Sequence, residues 1–206
     1  TGGRFMQREI KGETKGRRIA LLDELRGFAV FCMVFYHGFY TMAYLLNLPL
    51  GEALLRFFMP AEPWFAGLFI LIAGISSDLS HSNLVRGAKL FGVALLVTLA
   101  TAVAAPQELI VFGILHFLSI CMMAFGLLQL LRRRAGRERP PFRLWPVALC
   151  AVLAAVLWNV PQGFVQIPFL LRAELPRAWY TLWLAPLGLP GQGFSSADYF
   201  PLIPWC

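Results

Sequence analysis

Arg26 and His37 stand eleven residues apart in a stretch of chain that is otherwise apolar. An ionisable side chain inside a segment hydrophobic enough to enter a bilayer is costly, so its presence points first to function. Eleven residues at 3.6 per turn leave the two side chains within about 20° of each other around a helix. At 1.5 Å rise they lie about 16 Å apart, roughly half of a hydrocarbon core. The planar guanidinium binds phosphate bidentately, and a neutral imidazole accepts a proton from a hydroxyl or an amine. Together they suit a long, thin substrate that leaves an anionic end at the surface and pushes a reactive end inward, and acyl coenzyme A has that shape. Each residue also has a plainer reading. Arg26 can snorkel to the headgroups, and His37 can serve helix packing by donating to a neighbouring carbonyl or hydroxyl.

Other residues join this pair as candidates. Asp23 stands three residues before Arg26, where it can orient the guanidinium from the same face. With Glu24 it also lies near the positive end of a helix, where a carboxylate is favourable without any further role. His116 sits seven residues into another apolar run, Leu109 to Leu131, about 10 Å along a helix and within reach of the same depth as His37. Ser119 is one turn away on its face. The two read either as polar groups for an acceptor or a thioester carbonyl, or as a buried packing contact. Asp78, at the end of a further apolar run, either assists Arg26 with the donor or is solvated. Asp198 either orients an acceptor or caps a local turn. His81 reads as a surface residue, and Gly67, Gly74, Ser76 and Ser77 as small residues that let helices approach closely. The four cysteines, Cys32, Cys121, Cys150 and Cys206, show no metal or disulfide spacing, so no metal and no tightly held cofactor is expected.

The elements that must carry these residues follow from composition. Of the 206 residues, 58% are hydrophobic and 14% charged, and the mean hydropathy is +0.66, a balance foreign to a water-soluble domain. Apolar runs at Leu25 to Leu50, Trp64 to Leu79, Gly87 to Ala105, Leu109 to Leu131 and Leu144 to Val160 are long enough to span a bilayer, the second being short and continuing into the residues before it. The chain is therefore expected to be an all-α, polytopic transmembrane bundle with five complete spans. Residues 51–63 are amphipathic and suit the outer interface. Only Gln107 and Glu108 separate the third span from the fourth, which makes that pair an antiparallel hairpin. Prolines interrupt residues 161–205, which read as an irregular, Trp- and Tyr-rich outer segment, before Pro201 to Cys206 begins a sixth span. The net charge of +7 is distributed by topology: Arg4, Arg8, Lys11, Lys15, Arg17 and Arg18 precede the first span, Arg86 and Lys89 follow the second, and Arg132, Arg133, Arg134, Arg137, Arg139 and Arg143 follow the fourth. These alternate connections are the cytoplasmic ones by the positive-inside rule. Residues 1–19 thus read as a basic cytoplasmic segment and 20–206 as one membrane domain, with the C-terminus truncated. Nucleic acid is excluded as a partner; the lipid bilayer, with some attraction to anionic headgroups, is the expected one.

Several segments resemble a known family. Arg18 to Ala29 (RIALLDELRGFA) followed by Met33-Val34-Phe35-Tyr36-His37, then Phe69 to Ser76 (FILIAGIS), Phe112 to Ser119 (FGILHFLS) and Ser196 to Trp205 (SADYFPLIPW) are similar, in order, to motifs of the bacterial heparan-alpha-glucosaminide N-acetyltransferase-like proteins. The spacing of Arg26 and His37 also resembles the arginine-to-histidine motif of the wider integral-membrane acyltransferase superfamily. The resemblance implies a multi-pass protein of a bacterial inner membrane that moves an acyl group, usually acetyl, from cytoplasmic acetyl coenzyme A to an acceptor such as a glycan on the far side. Acetyl coenzyme A is then a co-substrate. In this reading Arg26, Asp23 and Asp78 hold the donor, His37 and His116 are catalytic, and Ser119 and Asp198 contact the acceptor. One feature departs from the pattern. The enzyme that names the family carries its catalytic histidine after the first helix, and residues 38–64 contain none. The rival class is a transporter or channel subunit that uses the same polar helix as a permeation path. Homo-oligomerisation is open on either reading.

Overall fold

The computed structural model describes residues 20–80, 82–136, 144–167 and 171–205. The basic segment 1–19, His81, the arginines at 137, 139 and 143, and Cys206 lie outside them. Five helical stretches are long and apolar enough to cross a membrane: Ala20–Leu45, Pro49–Asp78, Asn83–Ala104, Ile114–Arg134 and Leu144–Gln162. The protein is accordingly an all-α, multi-pass helical fold, and its surface is inside out relative to a soluble protein. Trp64, Val103 and Leu144 are among many large apolar side chains that face outward, as a hydrocarbon solvent permits. Packing divides the chain into two units, one up to Leu79 and one from Ser80 onward.

In the first unit, α1 (Ala20–Tyr40) begins five residues earlier than the apolar run suggests and ends in a π-helical turn, Thr41–Leu45. It stops there because Asn47 takes a positive φ of 50° and Pro49 opens a new helix, a first-turn position at which its missing N–H costs nothing. Residues 49–78 then run as one stretch. Helix α2 (Pro49–Phe58) and α3 (Glu62–Asp78) are joined by a 3₁₀ turn at Met59–Ala61, beside Pro60 and Pro63. The amphipathic segment is thus the first part of the second span. Contacts of Arg26 with Ser76 and of Tyr36 with Phe65 make α1 and α3 antiparallel. The face of α1 turned to its neighbours centres on fully buried Ala29.

The second unit is built on α4 (Asn83–Ala104) and α5 (Ile114–Arg134). A methyl group added at Gly87 would come within 2.7 Å of the Met123 side chain, and one at Gly126 within 2.8 Å of the Leu84 backbone. These glycines let two antiparallel helices pack nearly backbone to backbone. Gly67 and Gly74 of α3, which the sequence suggested for that role, meet nothing within 4 Å among the described residues.

Helix α5 starts at Ile114, not Leu109. After a 3₁₀ turn at Pro106–Glu108 the chain stays extended, because Phe112 bridges Tyr199 in parallel and the Phe200 and Ala197 amides donate to the carbonyls of Phe112 and Leu109. His116 is therefore in the first turn of its helix, not seven residues along it. Helix α6 (Leu144–Leu157) is apolar on every side and buries no residue among those described. Beyond it, prolines exclude regular helix, and the chain forms 3₁₀ turns and an antiparallel hairpin of β1 (Phe164–Ile167) and β2 (Leu171–Glu174). Among the described residues, the hairpin is the element that an all-helical reading omits.

Candidate functional site

Arg26 sits one and a half turns into α1, with its side chain 35% exposed. Its Nη2 donates to Ser76 Oγ near the end of α3, and Nη1 lies 3.9 Å from Asp23 Oδ1. The Ser76 hydroxyl spends its own proton on the Ile72 carbonyl at 2.7 Å, so only a lone pair remains for Arg26. The guanidinium is held by one neutral acceptor and one loosely placed carboxylate, an arrangement that fixes its direction without neutralising it. The exposed side chain of Asp78 lies in the last turn of the same helix as Ser76.

His37 occupies the half-buried stripe of α1 that also carries Arg26, Met33 and Tyr36 around Ala29. Its ring meets Tyr36 edge-on at 5.7 Å, and Tyr36 in turn meets Phe65 at 6.2 Å. Among the described residues the imidazole makes no hydrogen bond. The Thr41 hydroxyl donates instead to the backbone carbonyl of His37 at 2.9 Å, where the helix widens into its π turn. Such widened turns recur at functional sites because they displace a side chain from the regular helical register.

The second unit holds a different cluster. His116 is only 5% exposed, stacked on Phe112 at 5.9 Å and met edge-on by Phe91 at 5.9 Å. Its Nε2 lies 3.4 Å from Thr98 Oγ1. The Thr98 proton is directed to the Ile110 carbonyl at 2.7 Å, so the hydroxyl can only accept from the ring. This network assigns the proton to Nε2 and leaves Nδ1 as the basic nitrogen.

Asp198 Oδ2 accepts the Ile114 amide at 3.0 Å. It caps the helix of His116 from 84 residues away, where a carboxylate satisfies a free N–H and faces the positive helix end. A side chain at Gly113 would collide with this carboxylate, which explains glycine at that place in the FGILH segment. Ser196 completes the joint: its hydroxyl donates to the Asp198 carbonyl at 2.7 Å and accepts the Val111 amide at 3.2 Å. Ser119 is fully buried and donates to the His116 carbonyl at 2.7 Å, so its hydroxyl is committed within the helix.

The first unit thus brings Arg26 and Asp23 together, and the second brings His116, Ser119 and Asp198 together. Sequence reasoning missed Ser76 as the partner of Arg26 and Thr98 as the partner of His116. For Ser76 the signal was available, since it ends the FILIAGIS segment. For Thr98 there was none. It also missed a largely polar cavity of about 370 Å³ that includes Gln162, Arg172, Glu174, Arg177 and Gln192 in its lining.

The family model for heparan-alpha-glucosaminide N-acetyltransferase, catalytic, matches residues 18–206. No curated protein and no solved structure matches the chain. The match covers both units and every segment that carries the residues above. With its five apolar helices, the chain is a multi-pass integral membrane protein and belongs to the heparan-alpha-glucosaminide N-acetyltransferase catalytic family of transferases.

Proposed function

We propose that the protein transfers an acetyl group from cytoplasmic acetyl coenzyme A to an amine or hydroxyl acceptor on the opposite side of the membrane, with residues 20–206 acting as one catalytic domain. The observation that carries this reading is the shared stripe of α1. A directed guanidinium stands at one end, and a half-buried imidazole with no hydrogen bond among the described residues stands three turns further on. Arg26, steadied by Ser76 and Asp23, takes a donor phosphate, and Asp78 lines the same mouth. The positive-inside distribution of Lys and Arg supports a cytoplasmic N-terminus and hence a cytoplasmic donor. The resemblance of the motifs to bacterial proteins supports an inner-membrane location.

In the reaction, His37 accepts the proton of the attacking acceptor as its nitrogen or oxygen bonds to the thioester carbonyl carbon. The tetrahedral intermediate collapses, the carbon–sulfur bond breaks, and the departing thiolate takes the proton back from the imidazolium. A relay through an acetyl-imidazole, in which His37 itself first receives the acetyl group, balances equally well. His116, enclosed by Phe91 and Phe112 and tied to Thr98, shapes the second unit through the helix that Asp198 caps and leaves the proton transfer to His37. Ser119 serves that helix as a packing residue in preference to contacting the acceptor. The polar cavity beside the β-hairpin offers amide and guanidinium groups of the kind that bind sugar hydroxyls, which supports a glycan as acceptor.

The test is transfer of label from [¹⁴C]acetyl coenzyme A by purified protein in proteoliposomes given amino sugars and simple amines. Labelled product is expected, with donor and acceptor supplied on opposite faces. Solute flux that needs no coenzyme A, with no labelled product, would overturn the proposal in favour of a transporter.

A further inference from the structure

At one end of the α4–α5 pair, the structure crowds positive charge around a small cavity. The two helices are antiparallel, since Gly126 abuts Leu84 and the Asn83 amide donates to Gln129 Oε1 at 3.2 Å. The start of α4 therefore lies beside the end of α5. This arrangement gathers Arg86 and Lys89 with Arg132, Arg133 and Arg134, all exposed. No acidic residue among those described lies on either helix; Glu108, in the connection, is at the opposite end. Between the helices at this end is a cavity of about 250 Å³ whose lining combines Arg133 and Ser82 with Leu84, Val85 and Leu130. The three apolar side chains are 36%, 57% and 37% exposed, and the half-buried Asn83–Gln129 pair completes the lining.

We infer that this cavity binds the headgroup of an anionic phospholipid, whose phosphate meets Arg133 and whose first acyl methylenes lie along Leu84, Val85 and Leu130. Three features select this occupant. Neither helix carries an acid among the described residues, so a bound anion at Arg133 also gains from the cations gathered at this end. The guanidinium fork suits a phosphate diester. The apolar wall would be wasted on a free anion, yet it continues the slope that a lipid chain follows from headgroup to hydrocarbon. The site is built from α4 and α5, not from the helix that carries Arg26 and His37, and the inference does not depend on the acetyltransferase reading.

The experiment uses the full chain in nanodiscs of pure phosphatidylcholine or with phosphatidylglycerol added, read by native mass spectrometry and by thermal unfolding. Phosphatidylglycerol is expected to be retained and to raise the unfolding temperature over phosphatidylcholine, with the gain shrinking in high salt. The combined Arg86→Gln and Arg133→Gln variant should weaken retention about tenfold or more, and Arg133→Lys should recover only part of it. Val85→Trp keeps every charge while filling the cavity, and it should weaken retention as well. Equal stabilisation by both lipids, or retention unchanged in these variants, would overturn the inference. So would inorganic phosphate protecting as well as the lipid, since that marks a free-anion site. Displacement of the lipid by acetyl coenzyme A would also overturn it, assigning the cavity to the donor. None of these readouts requires turnover, so loss of acetyl transfer leaves them intact.

Discussion

In the first unit His37 is half-buried, touches Tyr36 edge-on and makes no hydrogen bond among the described residues. In the second, His116 is 5% exposed, stacked on Phe112, tied to Thr98 and seated in a helix that a distant carboxylate caps. Both belong to segments that resemble family motifs, yet they are built for different things. A base in an acyl transfer must reach a substrate atom and change protonation state without tearing a network apart, which is the role proposed above for His37. A histidine locked by two aromatic rings and one hydroxyl contributes shape and a fixed tautomer. On the proposed reading, the residue with the fewer contacts is the one that reacts.

Substitution at the two histidines is the hardest test of this contrast. His37→Ala should lower acetyl transfer by about 10²- to 10⁴-fold, the range of general acid–base catalysis, with little change in unfolding temperature, because the ring makes few contacts. Turnover undiminished in that variant sinks the assignment. His116→Ala should cost stability first, about 2–4 kcal/mol for a buried ring, and should lower activity in proportion to the folded fraction. If His116→Gln, which restores a hydrogen bond to Thr98, recovers stability but not activity, His116 takes part in the chemistry and the contrast fails.

The next effect concerns the donor end. Arg26→Gln should raise the KM for acetyl coenzyme A about tenfold or more, the worth of one charge-assisted contact, with kcat less affected. Arg26→Lys should recover only part of it, because an ammonium cannot satisfy Ser76 and a phosphate with the same planar fork. Ser76→Ala should shift KM in the same direction by a smaller factor, since it loosens the guanidinium without removing it. An unchanged KM in both Arg26 variants would leave the residue to headgroup snorkelling.

Capping should give a smaller effect that is structural in kind. Asp198→Ala removes the acceptor for the Ile114 amide and should cost about 1 kcal/mol, as for other helix caps. Gly113→Ala should cost a comparable amount by pushing on the same carboxylate. The double variant should cost less than the sum, because both act on one joint; strict additivity in thermal unfolding would show that Gly113 and Asp198 do not share it.

Much of the fold was legible because hydropathy sets helices when the solvent is lipid. The five runs, the close pairing of the third and fourth spans (α4 and α5), and the stripe shared by Arg26 and His37 all follow from local pattern. What was illegible depends on chain segments far apart in sequence. Nothing near Leu109 signals that residues 109–113 stay extended; only the docking of Ser196 to Phe200 explains it. Asp198 was read as a residue that caps a turn or binds an acceptor, and it caps a helix that begins 84 residues earlier. Glycines mislead for the same reason. Gly67 and Gly74 share a helix and a spacing that suggest close packing, but it is at Gly87 and Gly126 that one long helix's backbone approaches another. The β-hairpin lay in a stretch where prolines spoke against helix without specifying what replaces it.

The smallest predicted effect probes the brace behind Asp198. Tyr199 donates to the Ala185 carbonyl at 2.6 Å, and burial pushes its phenol up to about 12, above the value of about 10 expected in an unfolded chain. The folded form therefore holds the proton more tightly. Its contribution to stability is fully present below about pH 10 and is lost as pH rises through about 12. Tyr180, which donates to the Val160 carbonyl at 2.5 Å and is also pushed upward by burial, adds to the fall in the same direction. Tyr199→Phe should lower stability at pH 8 by about 1 kcal/mol through loss of the hydrogen bond, yet should flatten the decline between pH 10 and 12. Thermal unfolding across that window checks both signs. If the decline is as steep in Tyr199→Phe as in the natural chain, the segment that carries Asp198 is not braced by this phenol, and the rigidity ascribed to the His116 side of the comparison must come from the Phe112 bridge alone.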